Sequence, residues 1–297
     1  MPTHPQMLAS AIALGLAIVS LWIPPLHLES GRRLAWWPFF LAIAVGVGVY
    51  VGTVTAIGAI VVLAACLFAA ARSWGSSKLI QRACAVAGVL VAFGLAVRLF
   101  PGFPQVVLID GLRLTPDATP MRLTAHFDAG VAGLVLMAFY CRPARTWEEL
   151  KSAAVPALWI GAATTSLVIA LSCAVGYVRP EFKVPSFTGW HLAKILLWTC
   201  VMEEAFFRGV VQGGLATTTF IQSRPHLRWL PLVLASVLFG LAHAAGGATY
   251  IVLAGLAGLG YGYAFQATGR IEAAMFAHFM LNATHFIGFT YPSIARG

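Results

Sequence analysis

Charge is what this chain has least of. Charged residues make up 10% of its 297 positions, and only ten are acidic, whereas a soluble domain carries about 25%. With 60% hydrophobic residues and a mean hydropathy of +0.85, that scarcity excludes a soluble protein with one anchor. It leaves an integral membrane protein with several spans. No basic cluster with interleaved aromatics is present, which argues against nucleic acid as a partner. The net charge of +9 comes from Lys and Arg scattered near the ends of apolar runs, as expected of a protein held in a membrane with anionic lipids. Disulfide and CxxC spacings are also missing. Cys66, Cys84, Cys141, Cys173 and Cys200 stand far apart, mostly in apolar runs, and read as small buried hydrophobes. There is no internal repeat and no low-complexity tract. The N-terminus lacks a basic n-region and a cleavage site, so its apolar run reads as a first span rather than a removed signal peptide.

What is present is a series of apolar runs. A bilayer-crossing helix needs about 20 mostly apolar residues, and candidate spans fall at about 7–28, 34–51, 53–72, 82–100, 127–141, 153–177, 187–212, 229–246, 249–268 and 271–290. Pro24-Pro25 should end or kink the first. From Leu34 to Ala71 no charge occurs, so that stretch could be one long helix or a hairpin turning near Gly46, Gly48 and Gly52. The hairpin puts Arg32, Arg33, Arg72, Lys78, Arg82, Arg142, Arg145, Lys151, Arg224, Arg228 and Arg270 on one side, so the positive-inside rule favours it, with the N-terminus outward. The sizeable loop is 101–126, where Val106-Val107-Leu108-Ile109 reads as a short strand or a surface-lying segment. The expected fold is an all-α polytopic membrane protein of about 8–10 transmembrane helices, with the site between helices of the C-terminal half.

That site is expected there because ionisable residues cluster there. Residues 1–185 carry almost no buried ionisable group. Glu203, Glu204, Arg208, His243, His278, Asn282 and His285 all fall inside apolar runs after 186. A charge at bilayer depth costs about 2.5–3.5 kcal/mol on insertion scales, so such residues mark function by default. Glu204 and Arg208 are four apart and can pair on one helix face. Glu203 is rotated by about 100° from Glu204, has no partner in sequence, and is the better candidate for chemistry. His278, Asn282 and His285 share one face of a later helix, and His243 closes an otherwise uncharged run before Gly246-Gly247. Each has a plainer reading: an ion pair that locks helices, a core histidine, a polar stripe gluing helices together. Taken together, a carboxylate and two imidazoles (Glu203, His243, His278) form a usual ligand set for hydrolytic Zn²⁺ or another divalent metal. The same residues could instead let a Glu activate water while His and Asn stabilise an oxyanion. The sequence leaves both open. It also places Glu203 and His243 late in spans running opposite ways, hence at different depths unless the site is deep and central.

Three motifs then stand in order inside membrane spans. Glu203-Glu204-Ala205-Phe206-Phe207-Arg208 fits EExxxR, Phe239-Gly240-Leu241-Ala242-His243 fits FxxxH, and His278-Phe279-Met280-Leu281-Asn282 fits HxxxN. Together they resemble the CPBP family, which comprises the CAAX prenyl proteases and the bacterial Abi-type membrane proteins. The resemblance covers about 186–290, a CPBP-like catalytic helical core, and leaves 1–185 as transmembrane helices of unassigned role. It implies an intramembrane endopeptidase acting on peptides or lipidated membrane proteins. In it Glu203 activates the attacking water with Glu204 beside it, and His243 binds that water or a metal. His278 and Asn282 would ligate the metal or polarise the scissile carbonyl, and Arg208 would fix the glutamates. His285 lies outside the pattern. The end, Ser293 to Gly297, carries no eukaryotic retention signal, and the short loops and simple anatomy suit a bacterial cytoplasmic membrane. A non-catalytic bacteriocin-immunity or scaffold protein on the same fold, and a transporter using the same polar groups, remain as alternatives. Intact motifs weigh against the first, and the absence of repeats against the second.

Overall fold

Every apolar run read as a span forms a helix in the structure, a computed structural model that describes residues 5–29, 31, 33–74 and 77–295. The helices are α1 (Pro5–Val19), α2 (Trp37–Tyr50), α3 (Ala56–Ala71), α4 (Lys78–Ala96), α5 (Phe127–Tyr140) and α6 (Trp147–Ala174). They continue with the composite α7 (residues 188–216), α8 (Leu230–Ala242), α9 (Gly247–Thr268) and α10 (Ile271–Gly288). Short strands appear at Leu26–His27, Arg33–Leu34, Val106–Leu112 and Met121–Ala125. The protein is an all-α polytopic membrane protein. Among the described residues, helices at Lys78–Ala96, Trp147–Ala174, Pro225–Ala242 and Ala244–Thr268 are long and apolar enough to cross a membrane, and shorter apolar helices accompany them. Arg32, Arg296 and Gly297, used in reading the sequence, lie outside the described residues.

Two compact units divide the chain. The first holds residues 1–108, 123–145 and 197–202. The uncharged stretch after Leu34 breaks here into the hairpin: α2 stops at Tyr50, Gly52 takes φ +78°, and the Thr55 side chain accepts from the Gly58 N–H to start α3. A left-handed residue costs little only for glycine, so Gly52 is the natural turning point. α1 packs on α2 and α5, and α4 packs on α3 and α5. Asp128, buried at the start of α5, accepts from the Ala129 N–H and faces Arg98 at 3.8 Å.

The second unit holds residues 109–122, 146–196 and 203–297. Thr146 caps α6 by accepting from Glu149 N, and Glu148 and Glu149 occupy its first turn, where the helix dipole favours negative charge. α6 packs on α9 and α10, and α8 packs on α9. The core between them is small and aromatic: Ala153, Ala157, Phe207, Phe239, Ala257, Tyr261, Ala274 and Ala277. The outward face of α6 shows Val155, Leu158, Trp159 and Leu167. Large apolar groups outside and small ones inside are what a lipid-facing helix requires, because lipid gives no reason to hide Leu or Trp, whereas close helix packing needs small residues. At one end of this unit the stretches 177–183 and 287–294 zip together. Thr290 N donates to Arg179 O, Glu181 N to Gly288 O, Lys183 N to Ile287 O and Ile294 N to Tyr177 O.

Candidate active site

The site is built on α7, which is not a plain α-helix. Its α-helical start Thr188–Lys194 passes into π-helix at Ile195–Cys200, returns to α at Val201–Glu204, widens again to π at Ala205–Gln212 and finishes as α at Gly213–Ala216. Such widened turns recur at functional sites. Glu203 and Glu204 sit on the short α segment between the two π stretches. Glu204 is fully buried, while Glu203 keeps partial access.

Both carboxylates face one ring. His278 on α10, itself buried, has Nδ1 2.8 Å from Glu204 Oε1 and Nε2 3.9 Å from Glu203 Oε2. Adjacent helical side chains diverge by about 100°. An imidazole carries its nitrogens on different edges and can meet both. An ionised Glu204 can only accept, so Nδ1–H donates to it, and the neutral ring then presents the Nε2 lone pair toward Glu203. The ring is held in place by Tyr261, stacked at 4.6 Å and 12°, and by Phe239, edge-on at 5.7 Å.

Arg208 secures Glu204 from one turn on. Its Nε lies 3.1 Å from Glu204 Oε2, with both side chains fully buried. That contact lacks the angle of a formed hydrogen bond, so charge rather than a directed N–H holds it. Arg208 Nη2 donates to Gly258 O at 2.8 Å, and its guanidinium lies over Phe239 at 4.8 Å and Tyr261 at 5.6 Å. One turn further, Gln212 Nε2 donates to Gly262 O at 3.0 Å. These two rungs, four residues apart on both α7 and α9, fix the register of the two helices.

His243 closes α8 as its C-cap. Its Nδ1 donates to Phe239 O at 2.8 Å, which leaves Nε2 as an acceptor in the neutral ring. The Phe239 ring touches His243 at 4.7 Å and His278 at 5.7 Å. This links His243 to the glutamates through two rings. Asn282 is half-buried one turn beyond His278 and makes no hydrogen bond or ion pair with the other site residues. His285 points elsewhere: its Nε2 meets Thr290 O at 3.2 Å and its ring lies 5.1 Å from Tyr291. Burial pushes the Tyr291 phenol up to about 12, so it stays protonated.

Three participants were not read from the sequence. Lys194, the only Lys or Arg between Lys183 and Arg208, lies within electrostatic range of Glu203. A straight α-helix would put residues nine apart on opposite sides, and the intervening π turns change that phase. Its signal was present, a lone cation in an apolar run. Tyr250 and Tyr261 gave no signal, because an aromatic on an apolar helix reads as core.

A divalent metal needs several lone pairs converging on one point. Among the described residues, no three His, Cys, Asp or Glu side chains are placed to hold one. The Nδ1 atoms of His278 and His243 are bound to Glu204 and to Phe239 O, which leaves both Nε2 lone pairs free, as in histidines that ligate metals. As placed, Glu203, His243 and His278 are not gathered around one point.

Residues 185–284, about a third of the chain, match the family model described as Rce1-like, type II CAAX prenyl endopeptidase Rce1-like. That span contains all three motifs, and the CAAX-protease resemblance they carry is shown for this segment. No curated protein and no solved structure matches the chain.

Proposed function

We propose that this protein is an intramembrane endopeptidase that hydrolyses peptide bonds with water activated by Glu203. The observation that carries the reading is the 3.9 Å separation of Glu203 Oε2 and His278 Nε2. It is too long for a direct hydrogen bond and short enough for one water to bridge. Both atoms face that water as acceptors. Glu203 takes one proton as the water oxygen attacks the scissile carbonyl carbon and the carbonyl π pair moves to oxygen. His278 Nε2 accepts the other O–H and orients the attack. Collapse of the tetrahedral species breaks the C–N bond, and Glu203 returns its proton to the leaving amine. Glu204, neutralised by Arg208, holds His278 in the tautomer this needs. His243 Nε2 and Asn282 line the remaining approach to the carbonyl. No step passes through a metal.

The substrates we infer are membrane-associated peptides, lipidated C-terminal segments first among them, because the matched family is named for such cleavage and the site lies among membrane-spanning helices. The catalytic segment is 186–290. Residues 1–185 serve as scaffold and substrate-handling helices, and the short loops suit a bacterial cytoplasmic membrane. The test is purified protein in proteoliposomes with a peptide ending in a farnesylated Cys-aliphatic-aliphatic-X sequence. Mass spectrometry should find the released tripeptide; an intact peptide at long times overturns the reading.

A further inference from the structure

Where α7 and α9 end and α8 begins, the second unit carries an open cleft of about 570 Å³. Its space comes from how those helices stop. α7 finishes in Gly213–Ala216, and Gly213 and Ala216 bring little bulk to the wall. α9 finishes at Thr268, where Gly269 takes φ +66° and turns the chain away. A left-handed turn of this kind costs little only for glycine.

The wall is polar for a protein of this composition. Gln212, Thr217, Gln222, Arg228 and Gln266 line it, and no acidic residue does. Gln212 is 3% exposed and gives Nε2 to Gly262 O, while its Oε1 has no hydrogen-bond partner. Gln222 Nε2 donates to Ala216 O. The Arg228 guanidinium lies 5.3 Å over the Trp229 ring and has no carboxylate partner among the described residues. An acyl chain seated here would strip water from these groups and give nothing back. A negatively charged head answers the free guanidinium with a charge-assisted hydrogen bond.

The neighbours of the cleft point to a lipid as the source of that head. Arg228 stands at the start of the apolar span Pro225–Ala242. Beside it Trp229 and Tyr263, both exposed, stack at 6.1 Å. Amphipathic rings at the end of a span mark the headgroup level. Past them Val233, Leu234 and Val237 are exposed along α8, an apolar track that a soluble anion would not need.

We propose that this cleft binds the headgroup of an anionic phospholipid, whose phosphate pairs with Arg228 and whose acyl chains lie along the exposed face of α8 past Trp229.

The test is native mass spectrometry of the full-length protein released from phosphatidylcholine nanodiscs doped with phosphatidylglycerol. Wild type should retain phosphatidylglycerol in preference to phosphatidylcholine. Arg228→Gln, at an exposed position, should lower that retention about tenfold, the worth of one charge-assisted hydrogen bond. Ala216→Phe, which fills the cleft, should do the same. Arg224→Gln removes an equal charge from the same loop, but its guanidinium lies over Phe220 and outside the cleft, so retention should hold. No preference in wild type, or full retention in Arg228→Gln, overturns the assignment. Equal loss in Arg224→Gln overturns it too, by showing a diffuse charge effect. Displacement of the lipid by soluble glycerol phosphate or inorganic phosphate would make this a free-anion site and overturn the lipid. If Ala216→Phe fails to insert, Arg228→Gln decides alone. Binding is read without a peptide, so the result stands apart from whether the protein cleaves one.

Discussion

Glu203 and Glu204 are chemically identical neighbours given different work by their surroundings. Glu204 is fully buried against Arg208 and His278 Nδ1, whereas Glu203 keeps some access and faces the open edge of the same ring. That division was half legible in sequence. The four-residue spacing to Arg208 marked Glu204 for neutralisation, but of His243, His278 and Asn282, the downstream residues expected to share the site with Glu203, only His278 comes within 3.9 Å of it. Sequence spacing speaks only for one helix, and which ring edge of a distant histidine a carboxylate meets depends on helix packing. Because Arg208 balances a carboxylate with no access to water, Arg208→Ala should destabilise the fold by about 3–5 kcal/mol, the cost of leaving a buried charge unpaired. Thermal unfolding in detergent measures this, and a variant that melts with wild type would show that the pair carries no such load. His278→Ala should lower cleavage by orders of magnitude while the glutamates remain, as read by initial rates on the farnesylated peptide.

At the scale of elements, the unexpected feature is α7. Its apolar run was plainly a helix, but hydrophobic periodicity cannot distinguish i→i+4 from i→i+5 hydrogen bonding over a few residues, so the two π stretches were not legible. They matter because they set the phase of Lys194, of the glutamates and of the Arg208 and Gln212 rungs on α9. Inserting one alanine between Glu204 and Ala205 should swing everything after it by about 100°. Arg208 would then miss Glu204. We expect such a variant to reach the membrane and lose activity; retained cleavage would mean that the phase set by α7 carries no role in the site. The α2–α3 hairpin was legible by contrast, because charge placement and Gly52 pointed to the same turn.

At the scale of the whole molecule, membrane residence followed from composition alone, and ten apolar runs became ten helices. The strand at Val106–Leu112 was one of two readings of its loop. Zipping of 177–183 onto 287–294 was not foreseen, since backbone pairing of irregular segments leaves no pattern in side-chain type. The metal-free reading proposed above expects hydrolysis to survive exhaustive treatment with EDTA or 1,10-phenanthroline, assayed by product release; loss on chelation with recovery on adding Zn²⁺ would establish the metal-bound alternative. The central claim, that a Glu203-activated water cuts the peptide bond, is met most directly by single-turnover cleavage of the farnesylated peptide by wild type and Glu203→Gln in proteoliposomes. The account predicts a loss of about 10²–10⁴-fold, the usual share of a general base, with an unchanged Tm. A Glu203→Gln variant that cleaves at the wild-type rate would contradict it.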